Sequence, residues 1–142
     1  MSSYISVDLR SRIRAHFQNH CAYCRTPESL TVVIFEFEHI LPRSVGGATN
    51  FENLCLSCPT CNRYKSNRTF GTSDESMLRT PLFHPHRETW TEHFEWNENS
   101  IELIGLTRTG VVTIEVLRMN RPQLVRVRRL WVAMGEHPPR LL

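Results

Sequence analysis

Two pairs of cysteines are the residues whose type and spacing most directly indicate chemistry. Cys21 and Cys24 form one pair, Cys58 and Cys61 form the other, and 33 residues separate the two pairs. Each pair can present two thiolates from a tight turn, and four thiolates complete a closed tetrahedron around Zn²⁺. Because a closed site leaves no position for a substrate, we expect a structural zinc ion that joins the first turn to the segment beginning at Pro59.

The alternative for these cysteines is a set of buried thiols or a redox pair, although a redox pair would need a single CxxC. The fifth cysteine, Cys55, lies outside the spacing and is expected in the core as a small apolar residue. The N-terminal residues lack the apolar stretch of a secretory signal, and the apolar run over residues 32–35 is too short to cross a membrane. We therefore expect a cytoplasmic protein with reduced thiols.

Four polar residues between and beside the cysteine pairs form a second candidate group. Glu38 and His39 end an apolar run, Asn53 follows 14 residues after His39, and Asn62 follows 9 residues after Asn53. A neutral imidazole can take a proton from water, and a carboxylate with an amide oxygen suits a hard divalent cation. Hydrolysis of a phosphodiester needs both an activated water molecule and a sink for negative charge.

The stretches EHILPRSVGG and NLCLSCPTCNRYK resemble the zinc-bearing, four-cysteine branch of the HNH endonucleases. The resemblance is close over residues 20–66 and looser in the tail, which looks like an extension found on small bacterial stand-alone members. It implies a ββα-metal core with His39 as the general base, Asn53 as the loop-fixing residue and Asn62 as the third signature residue. Glu38 lies where many members have aspartate, and Glu38 with Asn62 would hold a catalytic Mg²⁺ or Mn²⁺.

Basic residues cluster around this motif and are predicted to contact phosphates without reading sequence: Arg43, Arg63, Lys65 and Arg68. The alternative is that they cover the solvated face of a short helix. A net charge of +3 permits an anionic partner without requiring one. The expected partner is double-stranded DNA, with a homodimer or a larger defence or mobile-element complex as further expectations.

Several elements are predicted to position these residues. Leu9, Ile13 and Phe17 recur at helical spacing after a capping Ser6, and Pro42 with the following glycines forces a loop. The predicted elements are a helix over residues 7–18, a strand over 31–37, a short strand within ENLCLS and a short helix over 59–66.

The tail is predicted to form an irregular connection, a hairpin and a terminal helix. The hairpin is HFEW and IELIG around a polar turn, and residues 110–119 fit a helix or a strand equally well. The helix begins near Pro122, ends at Gly135 and has on one face Leu124, Val127, Trp131 and Met134. The sequence thus predicts an α+β protein with an HNH core at 1–68 and an extension at 69–142 packed on it.

Three functions remain open from the sequence. The favoured one is a metal-dependent endonuclease that cuts phosphodiester bonds. The others are a nucleic-acid-binding zinc module without turnover, and a nuclease subunit that becomes active only with a partner.

Overall fold

The computed structural model describes residues 4–74 and 77–141 and divides the chain into two compact units. The first unit runs through Thr69 and includes the segment His84–Arg87. The second unit contains Phe70–Phe83 and the chain from Glu88 onward. The predicted packing of the extension on the core stays a prediction.

In the described part of the first unit there are two helices and an antiparallel pair of strands, with short 3-10 turns between them. Its regular elements are α1 (Val7–His16), β1 (Glu36–His39), β2 (Leu54–Ser57) and α2 (Pro59–Lys65). In the pair, Glu38 lies opposite Cys55 and His39 lies opposite Leu54. The order of two strands and a following helix is the ββα arrangement, so the predicted α+β class and core are confirmed.

The first helix begins where the sequence predicts and ends two residues earlier. The Ser6 hydroxyl accepts a hydrogen bond from the Leu9 backbone N–H, which is the interaction of a helix N-cap. Ile13 is fully buried, so the predicted apolar face is the packed one.

The first strand begins later than predicted, and the prediction of a strand over residues 31–35 is wrong. Val32 is 103% exposed and Ile34 is 79% exposed, so this β-branched run faces solvent. The backbone N–H of Phe35 donates to the Glu28 carboxylate at 2.7 Å, so this N–H does not pair with a neighbouring strand. Because β2 has four residues, it pairs with only the four residues of β1.

Where the structure describes it, the second unit is built from short strands and three helices. Its elements are β3 (Phe70–Gly71), β4 (Thr80–Pro81), α3 (Trp90–His93), β5 (Phe94–Trp96), β6 (Leu103–Gly105), α4 (Arg108–Val116) and α5 (Pro122–Ala133). The predicted hairpin is confirmed as the antiparallel pair of β5 and β6, and β3 pairs with β4 within the stretch predicted to be irregular.

The ambiguous stretch over residues 110–119 is largely helical. Thr107 caps α4 by accepting a hydrogen bond from the Gly110 N–H, which fixes the first turn. A Cβ at Gly110 would lie 2.1 Å from the His93 carbonyl oxygen, so α4 can approach the end of α3 this closely only at glycine.

The terminal helix differs from its prediction on the buried face. Leu124 and Trp131 are buried as expected, but Met134 is 68% exposed because it follows the last helical residue. Arg128 is fully buried instead. Among the described residues, no helix has the length and apolar character needed to cross a membrane.

Candidate metal centre and active site

The four predicted zinc ligands meet in the first unit. The Sγ atoms of Cys21, Cys24, Cys58 and Cys61 all lie within 4.8 Å of one another, and all four residues are buried. Cys24 Sγ and Cys58 Sγ are 3.8 Å apart. A tetrahedron with Zn–S bonds of about 2.3 Å has edges of about 3.8 Å, so this spacing suits one ion. The cluster is a structural metal site with the donor set that Zn²⁺ prefers.

Backbone contacts hold the two cysteine turns at this spacing. The Ala22 N–H donates to the Leu56 carbonyl at 2.8 Å, which ties the first turn to β2. Cys58 is the N-cap of α2, so its sulfur lies beside the Cys61 N–H at the start of that helix. The site therefore joins the segment before β1 to the strand and helix that follow.

The thiols of the cluster differ in acidity. Hydrogen bonds from Cys21, Cys58 and Cys61 hold the pKa of Cys24 well below its ordinary value. Burial raises the pKa of Cys21 well above its ordinary value. A divalent cation would bind all four as thiolates.

His39 is half-buried and lies at the end of β1. A residue of the loop between the two strands contacts its ring. Its Nε2 shares a hydrogen bond of 2.9 Å with Thr49 Oγ1. Burial lowers the pKa of His39, and the nearby Arg43 guanidinium lowers it further, while Glu38 raises it. The imidazole is therefore neutral near pH 7, as a proton acceptor must be.

Glu38 is buried on the opposite side of the strand from His39. Its Oε2 accepts hydrogen bonds from the Tyr23 hydroxyl at 2.8 Å and from the Cys55 thiol at 3.2 Å. Its Oε1 lies 2.6 Å from Lys65 Nζ. Burial raises the pKa of Tyr23 and that of Cys55, so both keep the proton that they donate.

Lys65 belongs to this buried network and does not face solvent. It is 1% exposed, and its ammonium group also donates to the Ile40 carbonyl at 3.0 Å. A side chain in this position has no surface for a phosphate. The structure therefore removes Lys65 from the predicted nucleic-acid contacts and assigns it to the core.

Asn62 lies on α2 and contacts a different acid from the one expected. Its Nδ2 donates to Glu36 Oε1 at 2.7 Å. Glu36 is two residues before Glu38 on β1, and successive odd or even residues of a strand point to one side. The structure thus pairs Asn62 with Glu36 and pairs Glu38 with Lys65.

Asn53 fixes the loop between β1 and β2 through three contacts to backbone. Its Oδ1 accepts from the Leu41 N–H at 2.8 Å, and its Nδ2 donates to the carbonyls of Leu41 and Ala48 at 3.0 and 2.8 Å. A Cβ at Gly47 would lie 1.8 Å from the Leu41 carbonyl oxygen, so the loop can close only with glycine there. This is the arrangement that a loop-fixing residue requires, and the role stays a prediction.

The remaining predicted phosphate contacts lie at the surface. Arg43 is exposed on the 3-10 turn after β1, Arg63 is exposed on α2, and Arg68 is exposed just after α2. Long cationic side chains at exposed positions can reach a phosphate backbone.

Sequence reasoning missed three residues that the structure places in or beside the site: Tyr23, Glu36 and Thr49. The signal for Glu36 was available, because it shares a strand face with Glu38 at a spacing of two. Tyr23 and Thr49 are distant in sequence from the side chains that they contact, and no motif marks either one.

Comparison with known proteins identifies the same region. A family model described as HNH endonuclease matches residues 21–68. The CRISPR-associated endonuclease Cas9 of Corynebacterium diphtheriae is 45% identical over 51 residues, which are 35% of this chain and 4% of that protein. No solved structure gives a significant match.

Two longer proteins are similar to most of the chain. The Septu protein PtuA of Bacillus mycoides is 24% identical over 147 residues, covering 84% of this chain and 20% of PtuA. The Septu protein PtuB of the same organism is 24% identical over 152 residues, covering 89% of this chain and 51% of PtuB. The chain thus spans about half of one relative and a fifth of the other.

Proposed function

Because residues 21–68 form an HNH endonuclease domain, we propose that the protein is a metal-dependent endonuclease acting on double-stranded DNA. The observation that carries the proposal is His39, a half-buried imidazole kept neutral near pH 7 at the end of β1. The four-cysteine site, loaded with Zn²⁺, stabilises the strands and helix around it.

The general base is His39. When Nε2–H donates to Thr49 Oγ1, Nδ1 keeps its lone pair and can accept the proton of the attacking water. Thr49 then stabilises the imidazolium that forms. Asn53 holds the loop that carries Thr49 and so keeps the ring in register with the end of the strand.

Oxygen donors for a catalytic cation are available on the strand and on α2. Asn62 and an acid of β1 offer an amide and a carboxylate, the ligands that Mg²⁺ and Mn²⁺ prefer. When bound, such a cation supplies positive charge to the scissile phosphate and to the leaving oxygen. These donors are few, which leaves coordination positions for phosphate and water.

The charge of the first unit supports an anionic substrate. It contains nine Lys or Arg against five Asp or Glu, a net charge of +4, whereas the second unit has eight against nine. Phosphate contacts by Arg43, Arg63 and Arg68 would be insensitive to base sequence. With one active site per chain, a monomer would nick one strand. A double-strand break would need a homodimer or two successive cleavage events by monomers.

The test is nicking of supercoiled plasmid by purified protein in EDTA, Mg²⁺ or Mn²⁺. We expect metal-dependent nicking that falls by at least about 100-fold in His39→Ala, since general base catalysis contributes roughly that much. His16→Ala, an exposed histidine of the same unit, is the matched control and should cut normally. Full activity of His39→Ala at unchanged zinc content would exclude His39 as the base.

A second candidate is a nuclease subunit that acts within a larger defence complex. The observation in its favour is the similarity to the two Septu proteins. The part of this chain that is similar to them is longer than the first unit. Binding of DNA without cleavage by the isolated chain, and cleavage by a complex purified from cells, would favour this candidate. Cleavage by the isolated chain would favour the simpler proposal.

A further inference from the structure

The two faces of β1 lead to different helices. The side chains of Glu36 and Glu38 point to one face, where they contact residues of α2. Phe37 and His39 alternate with these acids along the strand, so they share the opposite face. The proposed general base therefore lies on the face of β1 that is turned away from α2.

The first helix lies on the face of β1 that carries His39. The guanidinium groups of Arg10 and Arg14 lie over the ring of Phe37, with their carbon atoms 5.8 and 5.3 Å from its centroid. Residues two apart on a strand are separated by about 7 Å. The arginines of α1 are thus close to the strand end at which a scissile phosphate would bind.

A third arginine of α1 contacts the loop between the two strands. Arg12 lies over the ring of Phe51, 4.9 Å from its centroid. Phe51 begins the 3-10 turn that ends at Asn53, and Asn53 fixes the loop that carries Thr49. Since Thr49 contacts the ring of His39, Arg12 is held beside the segment that orients the proposed base.

The three arginines differ in how their charge is compensated. Arg14 forms an ion pair with Glu28, so its charge is neutralised within the protein. Arg10 and Arg12 are exposed, and among the described residues neither forms an ion pair. Asp8 is the one acid of α1. Two positive charges of this helix therefore face solvent without an acidic partner.

A guanidinium group that lies over an aromatic ring keeps its N–H donors for another ligand. The attraction to the ring comes from the charge of the group, whereas the donors lie in the plane of the group. These donors match the oxygen atoms of a phosphate and can bind them in pairs. The ring also restricts the arginine side chain, so less conformational entropy is lost when a phosphate binds.

We propose that α1 is a second phosphate-binding element, in which Arg10 and Arg12 contact the DNA backbone next to the scissile phosphate. The inference rests on the proposed nuclease function, because it places the substrate across the face of β1 that carries His39. Phosphates follow one another at about 3.4 Å along the axis of each strand, so a backbone that passes His39 has several phosphates within reach of this helix. Contacts of this kind are insensitive to base sequence.

Binding of a short DNA duplex of mixed sequence tests the inference apart from cleavage. The protein is zinc-loaded His39→Ala without added Mg²⁺ or Mn²⁺, and fluorescence anisotropy is measured over a range of KCl concentrations. Each lost phosphate contact reduces the slope of log affinity against log salt by about one. In this background Arg10→Gln/Arg12→Gln should reduce the slope by about two and weaken binding by at least about tenfold.

Two further double variants serve as controls in the same background. Arg126→Gln/Arg129→Gln removes the same charge from exposed positions of α5 and should keep the parental slope. Arg10→Lys/Arg12→Lys loses the guanidinium groups but keeps both charges, so it should also keep the slope. The inference would be overturned by a parental slope in the glutamine variant of α1, by an equal loss in either control, or by no measurable duplex binding.

Plasmid nicking by proteins that retain His39 separates the two proposals. We expect Arg10→Gln/Arg12→Gln to raise KM by at least about tenfold and to leave kcat within about threefold, because these contacts bind substrate and transition state alike. Arginine-dependent duplex binding without nicking by the parent protein would refute the nuclease while leaving the phosphate contacts in place. Nicking by the parent protein together with a parental KM in Arg10→Gln/Arg12→Gln would refute the phosphate contacts while leaving the nuclease in place.

Discussion

Each of the two units buries a cationic side chain, and the two units compensate that charge in different ways. In the first unit, Lys65 pairs with the carboxylate of Glu38. In the second unit, Arg128 donates to neutral oxygens, namely the carbonyls of Ile101 and Met119 and the side chain of Asn120. Arg128 also lies over the ring of Trp96, at 5.0 Å from its centroid.

The difference follows from what surrounds each cation. The second unit has an aromatic core that includes Trp90, Phe94 and Trp131, and a guanidinium group can stack on such rings and donate in several directions. The first unit is held by its four-cysteine site, and its polar network serves the strand that carries His39. Its stability therefore depends on a metal and on charge balance, whereas that of the second unit depends on packing.

The largest expected effect comes from removing a cysteine ligand. Cys58→Ser should lose the bound zinc, and the first unit should lose most of its folded stability, because structural zinc contributes roughly 10 kcal/mol or more in small domains. Hydrogen exchange should accelerate in β1, β2 and α2 much more than in α4 and α5. The control is Cys55→Ser, which changes a buried cysteine outside the cluster and should keep the zinc. A folded, zinc-free and active Cys58→Ser variant would refute the structural role.

A smaller effect is expected when the buried lysine is removed. Lys65→Met leaves the Glu38 carboxylate buried without its cation, which should cost about 3–5 kcal/mol of unfolding free energy. The double variant Glu38→Gln/Lys65→Met should recover most of that loss, since neither side chain is then charged. Urea unfolding of both proteins measures the difference, and a double variant no more stable than the single one would contradict the ion-pair account.

The matched change in the second unit is Arg128→Met. It should destabilise by about 2–4 kcal/mol, because two buried carbonyls lose their donors and Trp96 loses its cation. Here no substitution of a partner can restore stability, since two of the acceptors are main-chain oxygens. Recovery of parental stability by a change at Asn120 would show that the contact between Arg128 and the Asn120 side chain contributes most of the stabilisation.

The sequence was sufficient for features that depend on local spacing. The cysteine pairs, the cap at Ser6, the helix after Pro59 and the hairpin all follow from residues close together in the chain. The β-branched run over residues 32–34 was misleading, because a strand also needs a partner of matching length.

Features that depend on contacts between distant residues were not predictable. Lys65 looks like a surface cation of a short helix, and only the fold places it against Glu38, 27 positions earlier in the chain. Arg128 looks polar within an amphipathic helix, but the acceptors that allow its burial come from the turn between β5 and β6 and from the segment before that helix. Such compensated charges carry no local pattern, so they have to be read from the structure.

The smallest expected effect concerns the hydroxyl that holds the catalytic imidazole. Thr49→Val keeps the shape of the side chain and removes its hydrogen bond to His39, so stability should change by about 1 kcal/mol or less. Nicking should slow by about tenfold, because the ring loses the contact that orients it, while Mn²⁺ affinity stays at the parental value. Thr49→Ser restores the hydroxyl and should restore the rate. Equal rates for the valine and serine variants would show that Thr49 does not position His39. The loop held by Asn53 would then be enough to orient the ring.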